Sequence, residues 1–178
     1  MNAVMPLTPA IAWSLLAALL LVATVIDIRE RRIPNALTLA GCVAGLAVNA
    51  AAGGMGGFLD AGIALLIAFG ITLPFWLLGW MGAGDVKLVS AVGAFVGRGL
   101  VLETLLAIAI AGGILAALAL LRRGVLARTT ERMTATLGLT LSGRRWSYVE
   151  PDQQETNVRL PYAIAISAGT AAAIVLFG

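Results

Sequence analysis

Long apolar runs separated by short polar gaps make up most of the chain. A helix needs about 20 apolar residues to cross the hydrocarbon core of a bilayer, with about 17 to 25 tolerated. On that measure Thr8 to Ile26 is a first span, Asn35 to Ala52 a second, Ala61 to Trp80 a third, Leu100 to Leu121 a fifth and Leu160 to Phe177 a last. The fourth run, Val86 to Val96, gives only about 17 Å of helix at about 1.5 Å per residue, short of a core about 30 Å thick. It must extend toward Leu100, thin the bilayer locally, or sit inside the bundle away from lipid. Gly53-Gly54-Met55-Gly56-Gly57 predicts a flexible turn, and Pro34 suits the first turn of the second helix, where its missing N–H is not needed. Trp76 and Trp80 close the third span with the side chains expected at headgroup depth.

This pattern predicts an all-α polytopic membrane protein, a bundle of about six transmembrane helices in one domain over 1–178, with a polar segment at 122–159. Composition agrees: 60% of residues are hydrophobic, 12% are charged and mean hydropathy is +0.98, far from the roughly 25% charged residues of soluble domains. No basic stretch precedes the first run and charges follow it, so it reads as a retained span rather than a removed signal peptide. Within the polar segment, Leu126, Met133, Leu137 and Leu141 recur at helical spacing. Val125 to Leu141 therefore fits either an amphipathic helix on the membrane, with Arg128 and Arg132 toward headgroups, or a solvated loop with some helix. Tyr148 to Thr156 reads as loop.

Charge orients the layout. Eleven of the 12 basic residues are Arg. If the gap at 27–35 is cytoplasmic and every run crosses, all basic residues except Arg98 fall on the cytoplasmic side, as the positive-inside rule expects. Both termini are then outside. Asp27 and Asp85 lie at one face, and Asp60 and Glu103 lie near the other as interfacial residues. The basic residues occupy gaps between spans, so topology explains them and no nucleic-acid partner is implied.

The chain has no histidine and one cysteine, Cys42, which lies among small apolar neighbours and reads as a packing residue. Disulfide frameworks, Cys-His metal sites and His-based nucleophile pairs lack their parts. Neither metal nor cofactor is expected. Carboxylates, Lys87, hydroxyls and backbone remain for chemistry.

Two carboxylates stand out. Asp27 ends the first span within Ile26-Asp27-Ile28-Arg29-Glu30-Arg31-Arg32-Ile33-Pro34-Asn35. Alone, it equally fits an interfacial residue paired with its arginines. Asp85 lies in Met81-Gly82-Ala83-Gly84-Asp85-Val86-Lys87, where Gly82 and Gly84 permit unusual backbone conformations and close approach of another chain. Asp85 also fits a plain helix cap. Together the aspartates say more: two carboxylates in one site cannot both ionise cheaply, so they share a proton and can polarise a water for attack on a peptide carbonyl. Ionisable groups at membrane depth carry function by default. A small transporter or channel subunit with proton-relay aspartates is the alternative.

Asp27-Ile-Arg-Glu-Arg-Arg-Ile-Pro-Asn35 and Gly82-Ala-Gly-Asp-Val-Lys-Leu88 resemble the two signature segments of the type IV prepilin peptidases, membrane aspartic proteases of the GxGD type. Arg159-Leu-Pro-Tyr-Ala-Ile-Ala-Ile166 resembles the Pro-Tyr start of that family's last helix. The resemblance implies that Asp27 and Asp85 are a catalytic pair at the cytoplasmic face of a bacterial inner membrane, cutting basic leaders from pilin-like precursors. Larger members carry a cysteine-bearing cytoplasmic region after the first helix and also N-methylate the new terminus. Here nine residues, Asp27 to Asn35, join the first two spans. The chain thus resembles the short, peptidase-only branch associated with Flp or Tad pili, and methyl transfer is not expected. Pro34 and Asn35 are expected to shape the turn presenting Asp27. Lys87 fits equally a group that tunes the pair and a topology-setting charge. Monomer and homo-oligomer both remain open.

Overall fold

The computed structural model describes residues 7–122 and 161–178, which form five helices and no strand. These are α1 (Leu7–Glu30), α2 (Asn35–Leu77), α3 (Ala83–Val96), α4 (Val101–Arg122) and α5 (Tyr162–Phe177). One compact unit, comprising 1–112 and 161–178, holds every residue of the candidate site. The helix or loop expected over Val125–Leu141 and the loop at Tyr148–Thr156 lie outside the described residues.

Among the described residues three helices are long and apolar enough to cross a membrane: Ala10–Glu30, Asn35–Leu77 and Val101–Ala119. The second and third expected spans both fall within α2. Gly54, at φ 60° and ψ −141°, interrupts that helix, and this left-handed conformation is open chiefly to glycine. The break is therefore one residue within the glycine-rich stretch, and helix continues on either side. In a straight helix Gly45 and Ala64 would stand about 28 Å apart. Instead, a Cβ at Gly45 would meet Ala94, and Ala64 lies against Gly93, adjacent residues of α3. The two arms of α2 thus fold back around α3.

That embrace explains how so short a helix lives in an apolar protein. Val86 and every residue from Leu88 to Gly97 are buried, so α3 meets protein and not lipid. Small residues permit the approach: a Cβ at Gly93 would stand 2.8 Å from the Ala64 carbonyl and one at Gly45 2.9 Å from Ala94, close backbone contact of the kind that drives helix association in lipid. Gly97, at φ 72°, ends α3, and the buried carbonyls of its last turn find a donor in Asn49, whose Nδ2 donates to Ala94 O at 2.9 Å and Phe95 O at 3.3 Å. Beyond the cap, Arg98 meets Asp60 twice, through its N–H to Oδ2 at 3.0 Å and Nε to Oδ1 at 2.6 Å. Asp60 thus anchors the turn between α3 and α4.

The last helix is seated as tightly. A Cβ at Gly169 would lie 2.5 Å from Ile108 Cα of α4, and on its other side Thr24 of α1 shares a 2.8 Å hydrogen bond with Ser167. Cys42 packs, partly buried, against the apolar core.

Candidate active site

α1 does not stop at Ile26 but runs to Glu30, which places Asp27 inside its final turn. The helix closes with the Arg31 N–H on Asp27 O at 2.9 Å, and Arg31 takes a left-handed φ of 52°, a conformation that costs a non-glycine residue about 1 kcal/mol. The chain then turns Ile33 into the core. Pro34, at φ −63°, is the residue immediately before α2 rather than within its first turn, and its carbonyl accepts from Leu37 and Thr38.

Among the described residues Asp27 is the one buried charged side chain, 7% exposed. Its Oδ2 accepts the backbone N–H of Ala163 at 3.1 Å. Ala163 is the second residue of α5, and N–H groups in a helix's first turn have no partner within the helix. The Pro-Tyr segment at 161–162 thus begins a helix whose free end meets Asp27.

Asp85 is not the cap residue but the third residue of α3, with Gly82 as the cap; its Oδ2 reaches back to the Gly82 N–H at 3.2 Å. Burial pushes the Asp85 carboxyl up to about 6, the neighbouring Asp27 charge adds to that rise, and the Gly82 N–H partly offsets both. The two aspartates therefore sense each other across the α1–α3 contact. Tyr162 is within electrostatic reach of Asp85 and lies against Gly112 of α4.

The glycines of this turn act through space, not through backbone angle. Gly82 has an ordinary φ of −73°, and neither it nor Gly84 takes a positive φ. A Cβ at Gly84 would meet Ile33 Cβ at 3.1 Å, and one at Gly82 would meet Asp85 Oδ2 at 2.9 Å. Their lack of side chain lets the two turns touch and leaves room for the Asp85 carboxylate. Lys87 is exposed and donates to Asn35 Oδ1 at 2.8 Å, a second tie between the two turns. The structure thus gathers Asp27, Pro34, Asn35, Gly82, Gly84, Asp85 and Lys87 into one region. Among the described residues no cluster of three or more His, Cys, Asp or Glu could hold a metal ion.

Sequence reasoning missed two groups. Ala163 contributes only its backbone, and its signal was the proline that starts α5. Asn49, which caps the far end of α3, stood out only as a carboxamide in an apolar run.

Among the described residues, an all-helical fold with membrane-length helices and two carboxylates of separate helices within electrostatic reach of each other define the class. Within that class the chain belongs to the type IV leader peptidase family, which it matches over residues 14–117. It is 37% identical over 106 residues to a prepilin leader peptidase/N-methyltransferase of Aeromonas hydrophila, covering 51% of this chain and 35% of that protein. A protein of the same name from Pectobacterium carotovorum subsp. carotovorum is 37% identical over 93 residues, covering 47% and 32%. The matched region spans about a third of the length of these relatives. No solved structure matches the chain.

Proposed function

We propose that the protein is a membrane-embedded aspartic endopeptidase that removes the basic N-terminal leader from pilin-like precursors. The observation that carries this reading is that Asp27 and Asp85 lie within electrostatic reach of each other, inside the region that matches a leader peptidase family. In the resting pair one proton is shared, held on Asp85. Asp27 takes a proton from water, whose oxygen attacks the scissile carbonyl while Asp85 donates its proton to the carbonyl oxygen. Collapse of the tetrahedral species returns that proton to Asp85, and the departing amine takes one from Asp27. A peptide bond within a helix is sterically hidden, so the precursor must unwind locally, and the side-chain-free Gly82 and Gly84 leave space beside Asp85 for an extended strand.

The further expectations belong to the same proposal. The chain crosses a bacterial inner membrane about six times, with each arm of α2 and the shielded α3 as crossings. Both termini lie outside and the aspartates at the cytoplasmic face, supported by the eleven-to-one basic asymmetry. Methyl transfer is not part of the activity, a reading supported by the single cysteine and the short link, Arg31 to Pro34, between α1 and α2. Family membership weighs against the transporter reading. Coexpression of Asp27→Asn or Asp85→Asn with a precursor is the test: the precursor should accumulate uncut while the variant still inserts in the membrane.

A further inference from the structure

We propose that the first turn of α5 completes the catalytic centre, with the Ala163 backbone N–H as a positioning group that holds the Asp27 carboxylate in its working orientation. This rests on the aspartic-peptidase reading above and adds to it a residue with no side-chain chemistry.

Three observations carry it. Among the described residues the Ala163 N–H has no backbone acceptor, and its partner is Asp27 Oδ2, 3.1 Å away and buried. A hydrogen bond to a charged oxygen is shorter and stronger than a neutral one, and it fixes direction as well as distance. The donor is rigidly placed, because one turn earlier on α1 Thr24 bonds Ser167 at 2.8 Å and reaches the Ala163 carbonyl at 3.4 Å. The α1–α5 contact is therefore a two-rung ladder, Thr24 with Ser167 and Asp27 with Ala163, that fixes the register of the two helices. Finally, Ala163 is fully buried, so water does not compete for the bond.

Among the described residues the groups around Asp27 are few. From α3, Asp85 faces it, while Lys87 is occupied with Asn35 of α2. From α5 the nearest titratable group is Tyr162. α2 carries a single charged residue, Asp60, bound to Arg98. On α1 itself, Arg29 and Glu30 are exposed. The Ala163 N–H thus favours the carboxylate form of the pair without supplying a counter-charge.

Replacing the amide at 163 by an ester, with lactic acid in place of alanine in the full-length protein, removes this one N–H and leaves shape and side chain intact. Ala163→Pro is a second route, since proline is tolerated in a helix's first turn. Both should lower kcat for precursor cleavage about tenfold or more with KM within twofold, a loss of one charge-assisted bond, and move the acid limb of the cleavage profile to higher pH. Val175→Ala, at the exposed far end of α5, should leave that limb in place. Infrared titration of the carboxyl pair in protein labelled with carbon-13 aspartate reads the same shift without any substrate. An ester variant with unchanged titration overturns the proposal, whatever its turnover. A wild-type protein that cuts no precursor defeats the peptidase reading instead, and the titration still decides the role of Ala163.

Discussion

The Lys87 ammonium donates to Asn35 Oδ1 at 2.8 Å and so ties the turn after α1 to the first turn of α3. Both residues are exposed, and exposed bonds of this kind are worth about 0.5–1 kcal/mol. A double-mutant cycle with Lys87→Ala and Asn35→Ala should return a coupling of that size in thermal unfolding. Each single variant should slow cleavage several-fold, because the tie helps hold the turns that carry the aspartates. Additive effects of the two substitutions would mean that the residues work separately.

Gly84 makes the second contact between these turns. A Cβ there would press on Ile33 at 3.1 Å, so Gly84→Ala should reduce cleavage modestly and Gly84→Val severely. Ile33→Gly in the Gly84→Ala background removes the Cβ that the new methyl would meet and should restore part of the loss. Its failure to do so would place the importance of Gly84 elsewhere.

Asp85 is under strain of an electrostatic kind. Its carboxyl is raised from 3.8 to about 6, by burial first and the Asp27 charge second. The folded state therefore holds this proton more tightly than the unfolded chain. Ionising the group costs stability, a cost absent below about pH 4, growing between about 4 and 6, and fully present above. Asp85→Asn keeps an oxygen for the Gly82 N–H and removes the charge. It should raise the unfolding midpoint at pH 7, by roughly 1–3 kcal/mol once partial exposure is allowed for, and leave it unchanged near pH 4. Thermal melts in detergent at both pH values test this.

The pair's titration also shapes activity. Cleavage needs one proton on the pair, so kcat/KM should fall as pH rises through about 6. A flat profile between pH 5 and 8 would contradict the assignment of Asp85 as proton donor.

Asn49 offers a purely structural prediction. Its Nδ2 satisfies the Ala94 and Phe95 carbonyls at the end of α3, and orphaned buried carbonyls cost about 1–3 kcal/mol. Asn49→Ala should lower the melting midpoint accordingly, and Asn49→Asp should lower it further by turning a carboxylate toward carbonyl oxygens.

The apolar runs made the helices legible, because lipid forces each crossing to be long, apolar and internally hydrogen-bonded. Charge asymmetry predicts Asp27 and Asp85 at one membrane face, and in the structure the two carboxylates lie within electrostatic reach of each other. The partner of each polar group was not legible, since that depends on how helices pack. Arg98 and Asp60 looked like isolated interfacial charges and proved to be a pair. The shortness of α3 pointed to three solutions, and only the packing of both α2 arms around it selects the shielded one. Glycine was read for its backbone freedom at 82 and 84, yet it serves there by leaving room for Ile33 and Asp85. Ala163 has no side-chain signal at all.

The most direct test of the account is cleavage of a pilin-like precursor by the purified protein and by Asp27→Asn, Asp85→Asn and the double variant. Groups that act as one unit lose their function together. Each single variant should therefore lose at least about a thousandfold in turnover, and the double variant should be no worse than either. Near wild-type turnover by either single variant would contradict the claim that the two aspartates form one catalytic pair.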